Sequence, residues 1–247
     1  MTCPDLSMVE VDGAQDVQAV YEDADLLVLA KPSGLLCVPG RGPDKQDCLS
    51  TRAQQRWPGA LIVHRLDQAT SGLVLMARHQ DAQRRLSHAF AERQVHKRYQ
   101  AVVSGVMAYF EPDSDADADT DADGSWHTID LPIAADWERR PLRVIDHNLG
   151  KPSITRWRVL TDEDAQVHAP HNGAVRTTRV ELEPITGRTH QLRVHLAAIG
   201  HPIAGDALYA DAATQALAPR LLLHAFHLAF MHPASGERVS IHLPPDF

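Results

Sequence analysis

Short apolar runs, each broken off by glycine, proline or a charged cluster, constrain this chain more than any other feature. Asp25 to Ala30 (DLLVLA) is followed by Lys31-Pro32-Ser33-Gly34, a buried strand entering a turn. Arg98 to Ser104 (RYQAVVS) puts Tyr99, Ala101 and Val103 on one face and ends at Gly105. Thr155 to Leu160, Thr177 to Leu182 and Val239 to Leu243 alternate as half-buried strands do. Two segments have helical spacing instead. Residues 79 to 94 place Ala82, Leu86, Ala89 and Phe90 on one stripe, and Thr189 to Ile199 reads as a helix with a Thr cap and a Gly200 stop. Strands dominate and helices do not alternate with them. The expected class is α+β, a mainly antiparallel mixed sheet with flanking helices and loops.

At 247 residues with 44% hydrophobic content, the chain is long enough to bury a sizeable core. No apolar stretch reaches the 18 or so residues of a membrane span, and the acidic start MTCPDLSMVEVDG is no signal peptide. Three cysteines, Cys3, Cys37 and Cys48, fit neither a disulfide framework nor a zinc ribbon, so a cytoplasmic location is expected. The formal net charge of −8 argues against a nucleic-acid partner only at first sight. Residues 111 to 123 (EPDSDADADTDAD) hold seven acids and no base, and without them the balance is about −1. The remaining chain clusters its arginines, and local patches can steer an RNA backbone. Residues 111 to 125 are expected to be an acidic, mobile insertion; the spacing of Asp119, Asp121, Asp123 and Asp130 also fits a calcium loop, but neither flank reads as an amphipathic helix.

Two dense strings carry candidate chemistry. The first, HRLDQATSG (64 to 72), follows the apolar Leu61-Ile62-Val63, so His64, Arg65 and Asp67 stand at a strand-to-turn junction. The second, PITGRTHQLRVH (184 to 195), is a strand end, a Gly187 turn and a helix start. Arg188 near that start gains nothing from the helix dipole and calls for an anionic partner, for which Asp67 is the favoured candidate. Gln191 and His195 lie one helical turn apart, as packing or as binding residues.

Taken in order, KPSGLLCVPGR (31 to 41), HRLDQATSG, HKRYQAVVSG (96 to 105), PITGRTHQLRVHLAAIGHPIAGDALYA (184 to 210) and PRLLLHA (219 to 225) resemble the motifs of the RluA family of pseudouridine synthases. The resemblance runs from about residue 20 to the C-terminus and is to the small members without an S4 RNA-binding domain. It implies a 1–20 extension and a 21–247 catalytic domain. It makes Asp67 the essential aspartate, Tyr99 the active-site tyrosine and Arg188 the basic partner of the aspartate, with His64, Arg65 and Leu192 on the substrate; Gln191 joins them as a substrate candidate from its place on the helix. The implied reaction moves uracil from an N1 to a C5 linkage on the same ribose, with no cofactor and no metal. Asp67 would act as a nucleophile at C1′ or as a base at C2′, a choice the sequence leaves open. The implied partners are RNA loops: uridine 32 in the tRNA anticodon stem-loop and a 23S rRNA hairpin loop (uridine 746), with the protein expected as a monomer. Two rival readings are an inactive RNA-binding module of the same fold and a metal-dependent hydrolase built on His224, His227 and His232.

Overall fold

The computed structural model describes residues 17–107, 126–160 and 176–247. The acidic segment at 111 to 125, and all but Asp130 of the calcium spacing, lie outside them. The fold is α+β. Ten strands form one sheet: β1 (Gln18–Glu22), β2 (Leu26–Lys31), β3 (Leu61–Ile62), β4 (Ser71–Ala77), β5 (His96–Ser104), β6 (His127–Asp130), β9 (Ile154–Val159), β10 (Thr177–Pro184), β11 (Leu223–Met231) and β12 (Arg238–His242). Its main path runs β1-β2-β4-β11-β5-β10-β9-β6, with β12 on β11 and β3 on β4. Among the described residues the β4–β11 pair is parallel and the others are antiparallel. A small second sheet pairs β7 (Ile133–Ala135) with β8 (Arg143–Ile145).

Side-chain alternation distributes each central strand between two cores. On β2, Leu27 and Leu29 join Val74 and Met76 of β4 and pack with helix α1 (Leu49–Arg56) through Leu49 and Ala53. The intervening Leu26 and Val28 join Leu73 and Leu75 and pack with helix α2 (Gln80–Ala91) through Ala82 and Leu86. A strand buried on both faces therefore reads as a continuous apolar run, as LLVL does. A third core holds Ala101, Val103, Val180 and Leu182 against Leu192 and Leu196 of helix α3 (Gln191–Ala198). A fourth, short helix is α4 (Ala212–Gln215). Tyr99 touches the first and third cores together, so it stands at the seam between the halves of the sheet.

Several elements differ from the sequence expectation. Helix α3 begins at Gln191, and Thr189 is not its cap; that place belongs to His190, in the left-handed region at φ 58. A β-substituted residue there stores about 1–3 kcal/mol of strain. Helix α1 has few apolar residues and gave no periodic signal. Strand β1 starts at Gln18, ahead of the expected domain start at residue 21. The sharpest approach of two strands is at Gly72, with φ 114, where any Cβ would run into the Ala225 backbone of β11.

Candidate active site

Asp67 lies in the loop between β3 and β4, and the segment after β2 pins that loop from below. Lys31 is 2% exposed and donates to the carbonyls of Pro32, Leu35 and Gln68. Burial pushes its ammonium down to about 8, against the pull of the Cys37 and Asp67 charges. Gly34 N–H also donates to Gln68 O, Ser33 Oγ to Ala69 O, and Leu66 N–H to Cys37 Sγ. The KPSG turn is thus the platform that holds the aspartate loop.

The carboxylate of Asp67 opens on a cavity of about 310 Å³. All seven expected site residues, His64, Arg65, Asp67, Tyr99, Arg188, Gln191 and Leu192, line it. The cation beside Asp67 is a different one from that expected. Arg193 Nη1 and His190 Nε2 each lie 3.9 Å from Asp67 Oδ2. Arg188 is exposed, its Nε pointing 3.4 Å from the Pro152 carbonyl, and it forms no ion pair among the described residues. The reason is the start of α3. Because the helix begins after His190, Arg188 stays in the preceding turn and Arg193 falls on the buried side.

Arg193, 4% exposed, can be buried because Asp206 receives it. Arg193 Nε and Nη2 reach the two Asp206 oxygens at 2.7 and 2.6 Å, a bidentate pair. Asp206 is fully buried and also accepts the Leu208 and Tyr209 N–H groups. Burial lowers the Arg193 pKa, but Asp206 outweighs it and holds the guanidinium above its usual range. One edge of the fork is therefore committed, and Nη1 is left for Asp67. His190 is fixed similarly: its Nδ1 lies 2.6 Å from Tyr209 Oη, and burial lowers its pKa against the pull of Asp67.

Tyr99 is half-buried on β5, and desolvation together with the Asp67 charge raises its phenol above the ordinary value. It is neutral at pH 7 and presents a ring face. Leu192 is 6% exposed and forms the apolar wall of the cavity. Arg65 is exposed at the mouth. Gln191 differs from its expected substrate role because its polar atoms are spent inside the protein. Its Oε1 accepts from Thr186 Oγ1 and Arg188 N–H, and its Nε2 donates to Ile154 O and Thr155 Oγ1. His64 is also tied inward: Nε2 accepts the Leu75 N–H at 2.9 Å, and the ring stacks on Phe90 at 4.4 Å. Burial, with a smaller contribution from Lys97, drops its pKa to about 3, so the ring is a neutral wall.

The histidines of the hydrolase reading do not converge. His224 sits between Ser71 Oγ and Leu243 O, and His227 stacks on His242. His232 belongs, with Asp23 and Asp25, to the group closest to a metal geometry among the described residues. There it is 2.9 Å from Asp23 Oδ2, and that carboxylate also closes the β1–β2 turn through Tyr21 Oη and the N–H groups of Asp25 and Leu26.

Residues 25–198 match the family model described as RNA pseudouridylate synthase. The chain belongs to this family. Among its relatives are the dual-specificity RNA pseudouridine synthases RluA of Escherichia coli strain K12, 42% identical over 92% of this chain and 93% of that one, and of Vibrio vulnificus strain CMCP6, 43% identical over 93% and 84%. The solved human RNA pseudouridylate synthase domain containing 1 superposes with a TM-score of 0.73 at 30% identity, covering 97% of this chain and 87% of that one. Human RNA pseudouridylate synthase domain containing 4 gives 0.64 at 25% identity, covering 93% and 89%. The family match spans the Asp67 loop, Tyr99 and Arg193, the residues gathered around the cavity.

Proposed function

We propose that this RNA pseudouridine synthase uses Asp67 as its reacting carboxylate and, in keeping with the dual specificity named for its relatives, acts on two RNAs, a tRNA loop and an rRNA loop. The targets would be uridine 32 of the anticodon stem-loop and the 23S rRNA hairpin-loop uridine at 746. The observation that carries this reading is the carboxylate itself, seated between Arg193 and His190 at the mouth of a cavity floored by Tyr99 and Leu192.

The reaction balances within one nucleotide. The C1′–N1 bond breaks, uracil turns, C5 bonds to C1′, the C5 proton departs and N1 gains one. Asp67 supplies either the nucleophile at C1′ or the base at C2′. Tyr99 stacks on the uracil, and its raised phenol pKa favours that role over removal of the C5 proton. Arg65 enters the space the flipped uridine leaves, offsetting the few kcal/mol of unstacking. Arg188, exposed beside the cavity, is placed for a phosphate. Loops are the natural targets because A-form helices hide their base edges. No helix among the described residues is long and apolar enough to cross a membrane; the proposed form is a cytoplasmic monomer.

The test is Asp67→Asn, assayed by single turnover on an anticodon stem-loop and on the rRNA hairpin. Pseudouridine formation should fall below about 1% of wild type, while RNA affinity stays within about tenfold. Residual turnover well above that level would remove Asp67 from the chemistry, and wild-type turnover of only one RNA would remove the dual specificity.

A further inference from the structure

The small sheet β7–β8 carries the least buried aromatic among the described residues. Trp137, in the turn between the two strands, is 72% exposed, whereas Trp57 and Trp126 are buried. The guanidinium of Arg140 lies 4.2 Å from the Trp137 ring centroid and covers one face of the indole. Asp136 fixes the same turn: it accepts the N–H groups of Glu138 and Arg139 and pairs with Arg139 Nε at 2.8 Å. The ring is thus held at a defined turn, backed by a cation on one side and open on the other.

This turn is wired to the active site. Arg143 N–H on β8 donates to Tyr209 Oη at 2.9 Å, and the same hydroxyl meets His190, the neighbour of Asp67. A groove of about 1150 Å³, lined in part by Arg65, Asp67, Pro141, Arg143, Arg193 and Arg220, runs between turn and carboxylate. Arg143 Nε on its wall is buried with no hydrogen-bond partner. Arg193 and Arg220 are paired with Asp206 and Asp246, but Arg65, Arg140 and Arg143 form no ion pair among the described residues, and an aromatic face next to such guanidinium groups fits a base with its phosphate. An apolar peptide would satisfy the ring alone, and a second copy of this chain would bring like charges together.

We propose that the β7–β8 turn is a base-stacking platform: Trp137, backed by Arg140, takes an unpaired nucleotide flanking the target uridine, and Arg143 receives its phosphate. This inference rests on the RNA-loop substrate proposed above and adds a specificity determinant outside the reacting centre.

The test uses the full chain with stem-loops that carry an abasic site at each loop position in turn. For wild type, one position other than the target should weaken binding about 5- to 100-fold, the range for loss of one base–aromatic stack. Trp137→Ala should lose a similar factor on the intact loop and become insensitive to the abasic site at that position. Trp137→Phe should retain most of the affinity. The effect should fall on KM, with the single-turnover rate at saturation kept within about threefold, since the platform positions and does no chemistry. Because the ring is exposed, urea unfolding should show Trp137→Ala as stable as wild type. Unchanged affinity of Trp137→Ala, or an abasic penalty that persists in it, would overturn the platform. So would a Trp137-dependent dimer in sedimentation without any change in RNA affinity. Absence of turnover by wild type on any uridine-containing loop would instead strike the functional reading, which keeps the two failures apart.

Discussion

Replacing Asp206 by Asn tests the geometry of the site at its most buried point. Asn keeps the size of the side chain and an oxygen for Leu208 N–H, Tyr209 N–H and Arg193 Nη2, all of which use Oδ1. What changes is Oδ2, which becomes an amide N–H facing Arg193 Nε, where the acceptor stood at 2.7 Å. The charge opposite a 4% exposed guanidinium is also lost. Breaking a buried pair from one side costs about 3–5 kcal/mol. That is a large fraction of the roughly 5–15 kcal/mol by which domains are stable. With a urea m-value of about 2.5 kcal/mol/M, the midpoint should fall by about 1–2 M at unchanged slope. Arg193 then has Asp67 as its remaining carboxylate, so it should swing toward it and misplace it, lowering the single-turnover rate by about a hundredfold. The double variant Asp206→Asn/Arg193→Met removes both charges, and it should recover at least about 2 kcal/mol while remaining inactive. Stability of Asp206→Asn within about 1 kcal/mol of wild type, or a double variant no more stable than the single one, would refute the account of Arg193 as a clamped bridge.

Three further outcomes follow from other parts of the site. Arg193→Met should slow the chemical step at least about a hundredfold, while Arg188→Met should spare it and reduce the salt dependence of RNA binding by about one unit of slope; the reverse pattern in single-turnover and salt titrations would restore Arg188 as the partner of Asp67. His64 has a folded-state pKa of about 3 against 6.5, so the unfolded chain binds the extra proton between these values, and stability present above about pH 6.5 is lost as pH falls toward 3. Urea unfolding near pH 5 should be steeper in pH for wild type than for His64→Gln by nearly 1.4 kcal/mol per unit, and equal slopes would mean that the ring is charged in the fold. Gly72→Ala forces a Cβ into the Ala225 backbone at a positive φ and should cost at least about 2 kcal/mol, with turnover reduced because Thr70 and Ser71 lead directly from the Asp67 loop; a neutral result in thermal melts would contradict the close β4–β11 approach.

What could be read from the sequence was local. The strand end before Asp67 and the alternating strand that carries Tyr99 each announce themselves within about ten residues, while the roles of the two side chains came only from the family resemblance of the motifs. The α+β class followed from strands that do not alternate with helices. Arg193 was hidden because its role depends on Asp206, a partner thirteen residues away across a turn. A signal existed, since a lone arginine between Leu192, Val194 and Leu196 must be satisfied somewhere, and GDALY offers the acid. Arg188 was favoured because the helix was read as starting at Thr189. A left-handed His190, which no propensity suggests, shifts that start and turns Arg188 outward. Gln191 looked available because side-chain satisfaction is a tertiary property. The place of β11 between β4 and β5 was not legible either, because sheet order is set by pairings far apart in the chain.

That placement bears on how the protein is made. Strands β4 and β5 follow one another closely in the chain, yet the strand that joins them comes so late that Ser71 and Leu223, which share a hydrogen bond, are 152 residues apart. On the ribosome, the Asp67 loop and Tyr99 emerge early, beside the two strand edges that await β11. Until β11 arrives, the nascent chain must keep β4 and β5 from zipping directly to each other, a register that would seal the sheet without its central strand. The Gly72 crossing, where the Ala225 backbone fits because no Cβ stands in its way, gives the late strand its address.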